Sequence, residues 1–508
     1  MGTVETWVSE TTGTGKALCH WISAKMRSPA ALEGGPRSPP PAFPRGHIRD
    51  TLLKMQDELA LSPPEWVKDA VFYAIFPDRF RNGDPGNDPP GTRPWGAPPD
   101  RESTFGGDLW GIIQALDYLQ DLGVTALYLT PIFTAPSNHK YDVVDYYNVD
   151  PHFGGNEALA ELVGELHRRG MRLILDGVFN HCGEAHPFFW DVLRRGRSSP
   201  YWDWFTIRGD RVVQEPYPNY TCWAGVRSLP EWNHANPAVR EYLLSVASYW
   251  IREYGIDGWR LDAVEHMPPD FVREIRVAVK GANPEAYVLG EVMGYAAAWF
   301  KHGALDGAMN YRLWEALVYF IARDSWDAPQ FVAHLKGLWG SYPQGNAFAS
   351  YNLTGSHDKP RIMTLCGGDR RKVALVVATI FALPGAPAVY YGDEIGLQGG
   401  EDPDCRRCFP WDHSRWDTEL RGLFRMLIRL RREEPALRHG DLRFGEARGR
   451  VFSLVREGPD ARILFFLNAG EEEARFPLSR PALDLLKGEP LLGTLRLPPE
   501  SFAFLKEG

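Results

Sequence analysis

Four short segments of this 508-residue chain place carboxylates, an arginine and imidazoles at the ends of apolar runs. MRLILDGVF (171–179) carries Asp176 where its apolar run LIL ends and continues to Asn180 and His181. GIDGWRLDAV (255–264) carries Arg260 and Asp262, AYVLGEVM (286–293) contains Glu291, and FASYNLTGSHD (348–358) closes on His357 and Asp358. A lone Asp at a strand end is usually a cap or a salt-bridge partner. Carboxylates, a guanidinium and imidazoles arriving together from several strand ends point instead to a reaction centre. Glycoside cleavage suits them. One carboxylate attacks the anomeric carbon and a second carboxyl protonates the leaving oxygen, the two lying about 5–5.5 Å apart when configuration is retained. Arg260 stands two residues before Asp262, so on a strand both face one side, and its charge is expected to keep that carboxylate ionised. Glu291 must arrive protonated, and neighbouring carboxylates favour that form.

Those runs belong to a longer series. DAVFYAIF (69–76), VTALYLT (124–130), LDGAMNY (305–311) and APAVYYGDE (386–394) bring the apolar segments to eight, each of strand length. Between them, LWGIIQALDYLQDLG, NEALAELVGELHRRG, PAVREYLLSVASYWIREYG, PPDFVREIRVAVKG, SWDAPQFVAHLKGLWG and RKVALVVATIFALPG mostly repeat apolar residues at i, i+3, i+4 and close on Gly. The alternation predicts an α/β fold, a (β/α)8 TIM barrel with its reactive groups at the C-terminal strand ends. An open doubly wound sheet shares the alternation, but no Gly-rich dinucleotide turn follows the first strand. The long gap 180–232, between the third strand and its helix, predicts an inserted subdomain. RVFSLVRE, ARILFFLNAG, LLGTLRL and SFAFLKEG predict a C-terminal all-β sandwich domain over 437–508, which leaves 65–436 to the barrel. Residues 1–64, with SPAALEGGPRSPPPAFPRG, read as a largely disordered extension with a short helix at RDTLLKMQDELAL.

Composition narrows the partners. A net charge of −9 argues against nucleic acid and fits a neutral substrate. No run is long and apolar enough to span a bilayer, and the amino terminus lacks a secretory pattern, so the expected location is cytoplasmic. Six Cys in so long a chain make no disulfide framework, and the lone Cys405–Cys408 CxxC reads as reduced thiols. The 18 Trp suit a carbohydrate binder, since aromatic faces cover sugar rings, though Trp is equally a core residue.

The segments DGVFNH (176–181), GWRLDAVEH (258–266), GEVMG (290–294) and GSHDKPR (355–361) resemble, in order and spacing, the four signature regions of the α-amylase family. PIFTAPSNHKYDVVDYYNVDPHFGG, FGGDLWGI, YYGDEIGLQGGEDPDCRRCFPWD and the GWRLD spelling are most similar to its neopullulanase, cyclomaltodextrinase and maltogenic amylase group. The resemblance runs from about residue 65 to the end. It implies Asp262 as nucleophile, Glu291 as general acid/base and Asp358 as a third carboxylate that holds sugar hydroxyls. It implies Tyr141 stacked under the sugar, with His139, His181 and His357 bonding its hydroxyls and Arg260 orienting Asp262. Asp402 and Arg406 would bind sugars further towards the non-reducing end, and Trp223 would be an aromatic platform. The substrate implied is an α-glucan oligosaccharide or polysaccharide.

The same resemblance bears on a metal. RNGDPGNDPPG followed by FGGDL supplies Asn82, Asp84, Asn87, Asp88, the Gly106 carbonyl and Asp108, hard oxygen donors of the kind Ca²⁺ prefers. As a bare string it reads as an Asn/Asp/Gly turn; the resemblance implies a structural Ca²⁺. The chain also departs from the group. The β-sandwich domain usual before the barrel is not found in residues 1–64. AVEH follows the nucleophile position where the group reads VANE, Met293 replaces a common Trp, and LPEWN (229–233) replaces MPKLN. Glu265 and His266 therefore fall where leaving-side sugars bind. Two further readings stay open: a glucanotransferase or isomerising relative using the same covalent intermediate, and an inactive barrel that only binds sugar.

Overall fold

The computed structural model describes residues 62–507, so the extension and helix expected within 1–61 lie outside the described residues. Pro63 and Pro64 are already buried, so packed structure includes residues just ahead of residue 65. Ten strands follow: β1 (Phe72–Ile75), β2 (Ala126–Leu129), β3 (Phe133–Thr134), β4 (Asp145–Val149), β5 (Arg172–Gly177), β6 (Gly258–Leu261), β7 (Tyr287–Gly290), β8 (Gly307–Ala308), β9 (Tyr351–Leu353) and β10 (Ala386–Tyr390). All but β3 and β4 form one parallel sheet in the order β8-β7-β6-β5-β2-β1-β10-β9. A parallel bridge between Met309 and Tyr351, with the Asn310 amide donating to the Tyr351 carbonyl at 2.9 Å, joins its two edges. The sheet is therefore a closed barrel, and the open alternative fails.

Burial on both faces explains why these strands read as unbroken apolar runs. Along β6, Trp259 turns outward and donates to the Ala247 carbonyl of the helix Pro237–Glu253 at 3.0 Å. Arg260 turns inward. Gly258 lets β6 and β7 approach closely, because a Cβ there would lie 2.1 Å from the Tyr287 carbonyl oxygen.

Between β5 and that helix sits the inserted segment, with a helix at Pro187–Arg195 and antiparallel bridges Phe205–Trp232, Cys222–Pro230 and His181–Glu231. The Cys182 amide donates to the Pro230 carbonyl, so Cys182 and Cys222 flank Pro230 rather than meeting. All five described cysteines are free. A second excursion, which the sequence pattern does not signal, is the β3–β4 hairpin after β2. Helices Thr418–Glu433 and Pro435–His439 then lead to the C-terminal domain. There a six-stranded antiparallel sheet and a two-stranded ladder enclose Phe466, Phe476, Leu495 and Leu505. The outer face of the larger sheet packs Phe452 against Phe331 and Phe320 of the barrel.

Candidate active site

Register alone assembles the first half of the site. Asp176 of β5 pairs with Arg260 of β6, and Leu261 pairs with Gly290 of β7, so Glu291 emerges beside Asp262. The buried Arg260 guanidinium serves all three carboxylates. Its Nη1 donates to Asp262 Oδ1 at 2.8 Å and to both Asp176 oxygens at 3.0 Å. Its Nη2 stands 2.9 Å from Glu291 Oε1 as an ion pair. Ala263, held at φ 46°, aims its amide at Glu291 Oε2 at 2.9 Å. One cation and one strained backbone turn therefore fix the Asp262 and Glu291 carboxyls side by side.

The β3–β4 hairpin carries the second half. Lys140, in the left-handed region at φ 61°, turns away to Asp150 at 2.6 Å and to the Ala135 carbonyl at 2.8 Å. Its neighbours His139 and Tyr141 thereby face the mouth together, with ring centroids 5.8 Å apart. The Tyr141 hydroxyl reaches Asp176 Oδ2 at 3.1 Å and His357 Nε2 at 2.7 Å, and its ring stacks on His357 at 5.6 Å. His357 Nε2 lies 3.3 Å from Asp358. Arg406 completes the wall, donating to the His357 carbonyl at 2.8 Å and to Asp358 at 3.2 Å while pairing with Asp402 at 3.1 Å.

Trp223, from the inserted segment, packs against His181 with centroids 5.8 Å apart. His181 is buried, yet its Nε2 has no protein partner, which leaves it for a hydroxyl in the mouth. Glu265 and His266 are exposed on the turn after β6. Glu265 accepts from the Met293 amide at 2.8 Å, tying that turn to the loop after Glu291. The structure thus brings together the residues expected in the mouth and sets Glu265 and His266 on its rim. Asp176, which the sequence places at a strand end without a role of its own, proves to be a hub of these contacts. It accepts from Tyr128 at 2.6 Å, from Tyr141 and from Arg260. Its inward place in the LDG strand end was the available signal.

Comparison with known proteins agrees with this geometry. Residues 74–419 match the family described as alpha amylase, catalytic domain. A cyclomaltodextrinase of Geobacillus thermopakistaniensis strain MAS1 is 48% identical over 434 residues, spanning 84% of this chain and 74% of that protein. Neopullulanase 2 of Thermoactinomyces vulgaris is 43% identical over 441 residues, 85% of this chain and 75% of its own. The chain belongs to the α-amylase family. Among solved structures, the cyclic α-maltosyl-(1→6)-maltose hydrolase of Arthrobacter globiformis superposes with a TM-score of 0.83 at 40% identity, covering 88% of this chain and all of that one.

For an α-amylase family glycoside hydrolase, protonation at this mouth matters most. Burial pushes the Asp262 carboxyl well above the usual carboxylate range; Arg260 opposes this, while Glu291 and Asp176 reinforce it. Asp176 is likewise pushed up to about 6 by burial, against the pull of Arg260. Arg260 thus favours the ionised form of Asp262 as its spacing predicts, but one buried guanidinium shared by three carboxylates does not cancel their repulsion and lost hydration. Asp262 and Asp176 therefore titrate as a coupled set around one guanidinium rather than as separate residues. Burial lowers His139, brings His181 down to about 3, and lowers His357 far below its ordinary value. All three are neutral rings at pH 7, fit to exchange hydrogen bonds with hydroxyls.

The loop after β1 has its own polar centre. Asp108 caps the helix Leu109–Gln114 and accepts from Gly111 at 2.7 Å, Gly83 at 2.9 Å, Asp84 at 3.0 Å and Asn87 Nδ2 at 2.8 Å. Asn82 Nδ2 donates to Asp88 at 2.7 Å. Both amide oxygens, Asn82 Oδ1 and Asn87 Oδ1, are left buried with no donor. A Cβ at Gly106 would fall 2.2 Å from Asp88 Oδ1, so the backbone there closes directly onto the acid. Among the described residues no three His, Cys, Asp or Glu side chains group at metal spacing. A cation here would draw on amide and carbonyl oxygens as well as carboxylates, and two orphaned oxygens fit a hard ion such as Ca²⁺.

Proposed function

We propose that this protein hydrolyses α-1,4-glucosidic bonds in maltodextrins, and also in cyclodextrins, pullulan or starch, with retention of configuration. The observation that carries the reading is Asp262 and Glu291 held on one buried guanidinium, beside the Tyr141 ring and the Asp358 wall. Asp262 attacks the anomeric carbon as the glycosidic oxygen leaves, and Glu291 gives that oxygen its proton. Water then attacks the glycosyl–Asp262 ester, surrendering a proton to Glu291 and restoring both groups. Asp358, with His139, His181 and His357, holds sugar hydroxyls over Tyr141, while Asp402, Arg406 and Trp223 bind sugars beyond the cleaved bond. Glu265 and His266 meet the leaving side. A cytoplasmic location is part of the proposal. It is supported by the 41% identity to an intracellular maltogenic amylase of Bacillus subtilis strain 168, and no helix among the described residues is long and apolar enough to cross a membrane.

The test is product analysis after incubation with maltotriose, β-cyclodextrin, pullulan and starch. Shorter products retaining the α-anomer are expected. Products longer than the substrate would replace hydrolysis by transfer, and no turnover of any substrate would sink the enzyme reading.

Ca²⁺ in the loop after β1 is part of the same proposal, held by Asn82, Asp84, Asn87, Asp88, the Gly106 carbonyl and Asp108. When bound it supplies charge compensation to a loop that flanks the mouth. At a hundredfold excess over its Kd it would add about 2.7 kcal/mol of stability. A chelator should therefore lower the melting temperature and added Ca²⁺ restore it; a melting temperature indifferent to both rules the ion out.

A further inference from the structure

Two buried thiols flank the arginine of the mouth wall: Cys405, fully enclosed, and Cys408 three residues on. Cys408 has Arg79 and Asp78, just after β1, as its charged neighbours. Cys405 turns instead to the segment after β9. Its Sγ–H donates to the His357 carbonyl at 3.1 Å. That carbonyl lies in the peptide joining His357 to Asp358, and Arg406 Nε donates to it as well, at 2.8 Å. A carbonyl oxygen has two lone pairs. Here a thiol and a guanidinium share them. Burial pushes the Cys405 thiol up to about 12, against the pull of Arg406 and Arg361, so at neutral pH it is a donor rather than a thiolate.

The thiol is itself held in place. The Cys405 carbonyl accepts from Arg361 Nε at 2.9 Å and from the Tyr390 hydroxyl at 3.3 Å. Arg361 is fully buried, and its guanidinium also donates to the Tyr391 carbonyl at 2.6 Å and to Asp393 at 3.0 Å. The end of β10 and a residue three places beyond Asp358 therefore fix the cysteine backbone, and the cysteine side chain returns a bond to His357. On the other side of the same peptide, the Asp358 amide donates to Ser356 Oγ at 3.2 Å. The Asp358 carboxylate is only partly buried, with Arg406 at 3.2 Å and His357 at 3.3 Å. Its aim is thus set largely by the peptide behind it.

We propose that Cys405 is a positioning residue, whose S–H donation to the His357 carbonyl holds Asp358 at the angle at which it grips the sugar in the transition state. The proposal rests on the α-glucan hydrolase reading above. Arg406 alone does not fix that peptide, because its guanidinium also answers to Asp358 and Asp402 and shifts with them when sugar hydroxyls arrive. The thiol has no contact with sugar and stays where Arg361 and Tyr390 put it. Catalysis tolerates little error in such a group, since a displacement of about 1 Å costs up to roughly a hundredfold in rate.

The test is the kinetics of full-length Cys405→Ala, Cys405→Val and Cys405→Ser on maltotriose, with Cys408→Ala as control and melting temperatures measured beside them. Ala and Val lack the donor, and their kcat is expected to fall roughly threefold to tenfold, the scale of one neutral hydrogen bond. KM should stay within about twofold of wild type, because an interaction made in the transition state is lost from kcat. Ser restores an O–H donor and should keep most of the wild-type kcat, even where its melting temperature drops. Packing alone predicts the opposite order, since Val fills the space with apolar volume and Ser puts a polar group into it. Cys408→Ala also loses a buried thiol and should keep the wild-type kcat. If Cys405→Ala fails to fold, Cys405→Val against Cys405→Ser decides the matter. A Cys405→Ser enzyme as slow as Cys405→Val overturns the proposal. So does a Cys405→Val enzyme with the wild-type kcat, or a Cys408→Ala enzyme slowed as much as Cys405→Ala. A wild type that turns over no glucan takes the hydrolase reading down with this inference, whereas an active wild type with any of those three results defeats this inference alone.

Discussion

Asp262→Asn is expected to lower kcat by on the order of 10⁴- to 10⁶-fold, the scale reached when one member of a covalent catalytic unit is removed. That loss corresponds to about 5–8 kcal/mol of barrier at 1.36 kcal/mol per tenfold. An amide cannot form the glycosyl ester, and nothing else within reach of the Arg260 fork is placed to replace it: Asp176 lies deeper, with its oxygens occupied by Tyr128, Tyr141 and Arg260. The fold should survive. Asp262 is a buried carboxyl whose charged form is opposed by burial and by Glu291 and Asp176, so a neutral isostere removes repulsion. An unchanged or slightly raised melting temperature is therefore expected alongside the lost turnover. Glu291→Gln should differ in kind, keeping a larger share of activity on a glycosyl fluoride, whose leaving group departs without a proton. An Asp262→Asn enzyme that still turned over maltotriose at the wild-type rate would refute the nucleophile assignment.

How far the fold was legible depended on burial. Each barrel strand is covered on both faces, so VTALYLT and MRLILDGVF stood out as unbroken apolar runs. The strand Asp441–Arg448 is half exposed along its length, carries no such run, and was not marked. Helix Thr418–Glu433 was missed for another reason. Its sequence is interrupted by five arginines, and one of them, Arg431, is buried on the carbonyls of Leu437 and Gly385. A pattern that counts Arg as polar cannot find that face. Barrel closure was likewise invisible locally, since it depends on the single Met309–Tyr351 bridge between segments about forty residues apart.

At the site, residue types and their strand-end positions announced Asp262, Glu291 and Asp358 because such groups rarely gather without a use. The sequence could not show how one arginine is divided. Two-residue spacing puts Arg260 and Asp262 on one face, but the sharing with Asp176 and Glu291 follows from register across β5, β6 and β7. Register is a tertiary fact. For the same reason the spacing argument credited Arg260 with ionising one carboxylate, when in the folded barrel it must answer for three.

Arg260→Met is the sharpest test of that arrangement. The apolar chain keeps roughly the volume but leaves Asp176, Asp262 and Glu291 buried without their cation, and breaking a buried ionic set costs about 3–5 kcal/mol. The cost should depend on pH. With the guanidinium gone, the Asp176 and Asp262 carboxyls are raised further above their unfolded values, because the positive charge that lowers both is lost. A group whose folded pKa is raised contributes stability that is fully present below its unfolded pKa and is lost as pH rises through its folded pKa. The deficit relative to wild type should therefore be small near pH 4 and widen through pH 6 and above, where Asp176 in the intact cluster already titrates at about 6. Residual activity should move the same way: Asp262 must ionise to attack, so the acid limb of the rate profile shifts to higher pH. Arg260→Lys should fall between, since an ammonium restores the charge but cannot hold Asp262 on one nitrogen and Glu291 on the other. Thermal melts of the three proteins from pH 4 to 8 check this. A deficit in Arg260→Met that is constant across that range would mean the arginine acts by packing, and the shared-cation account of the active site would fail with it.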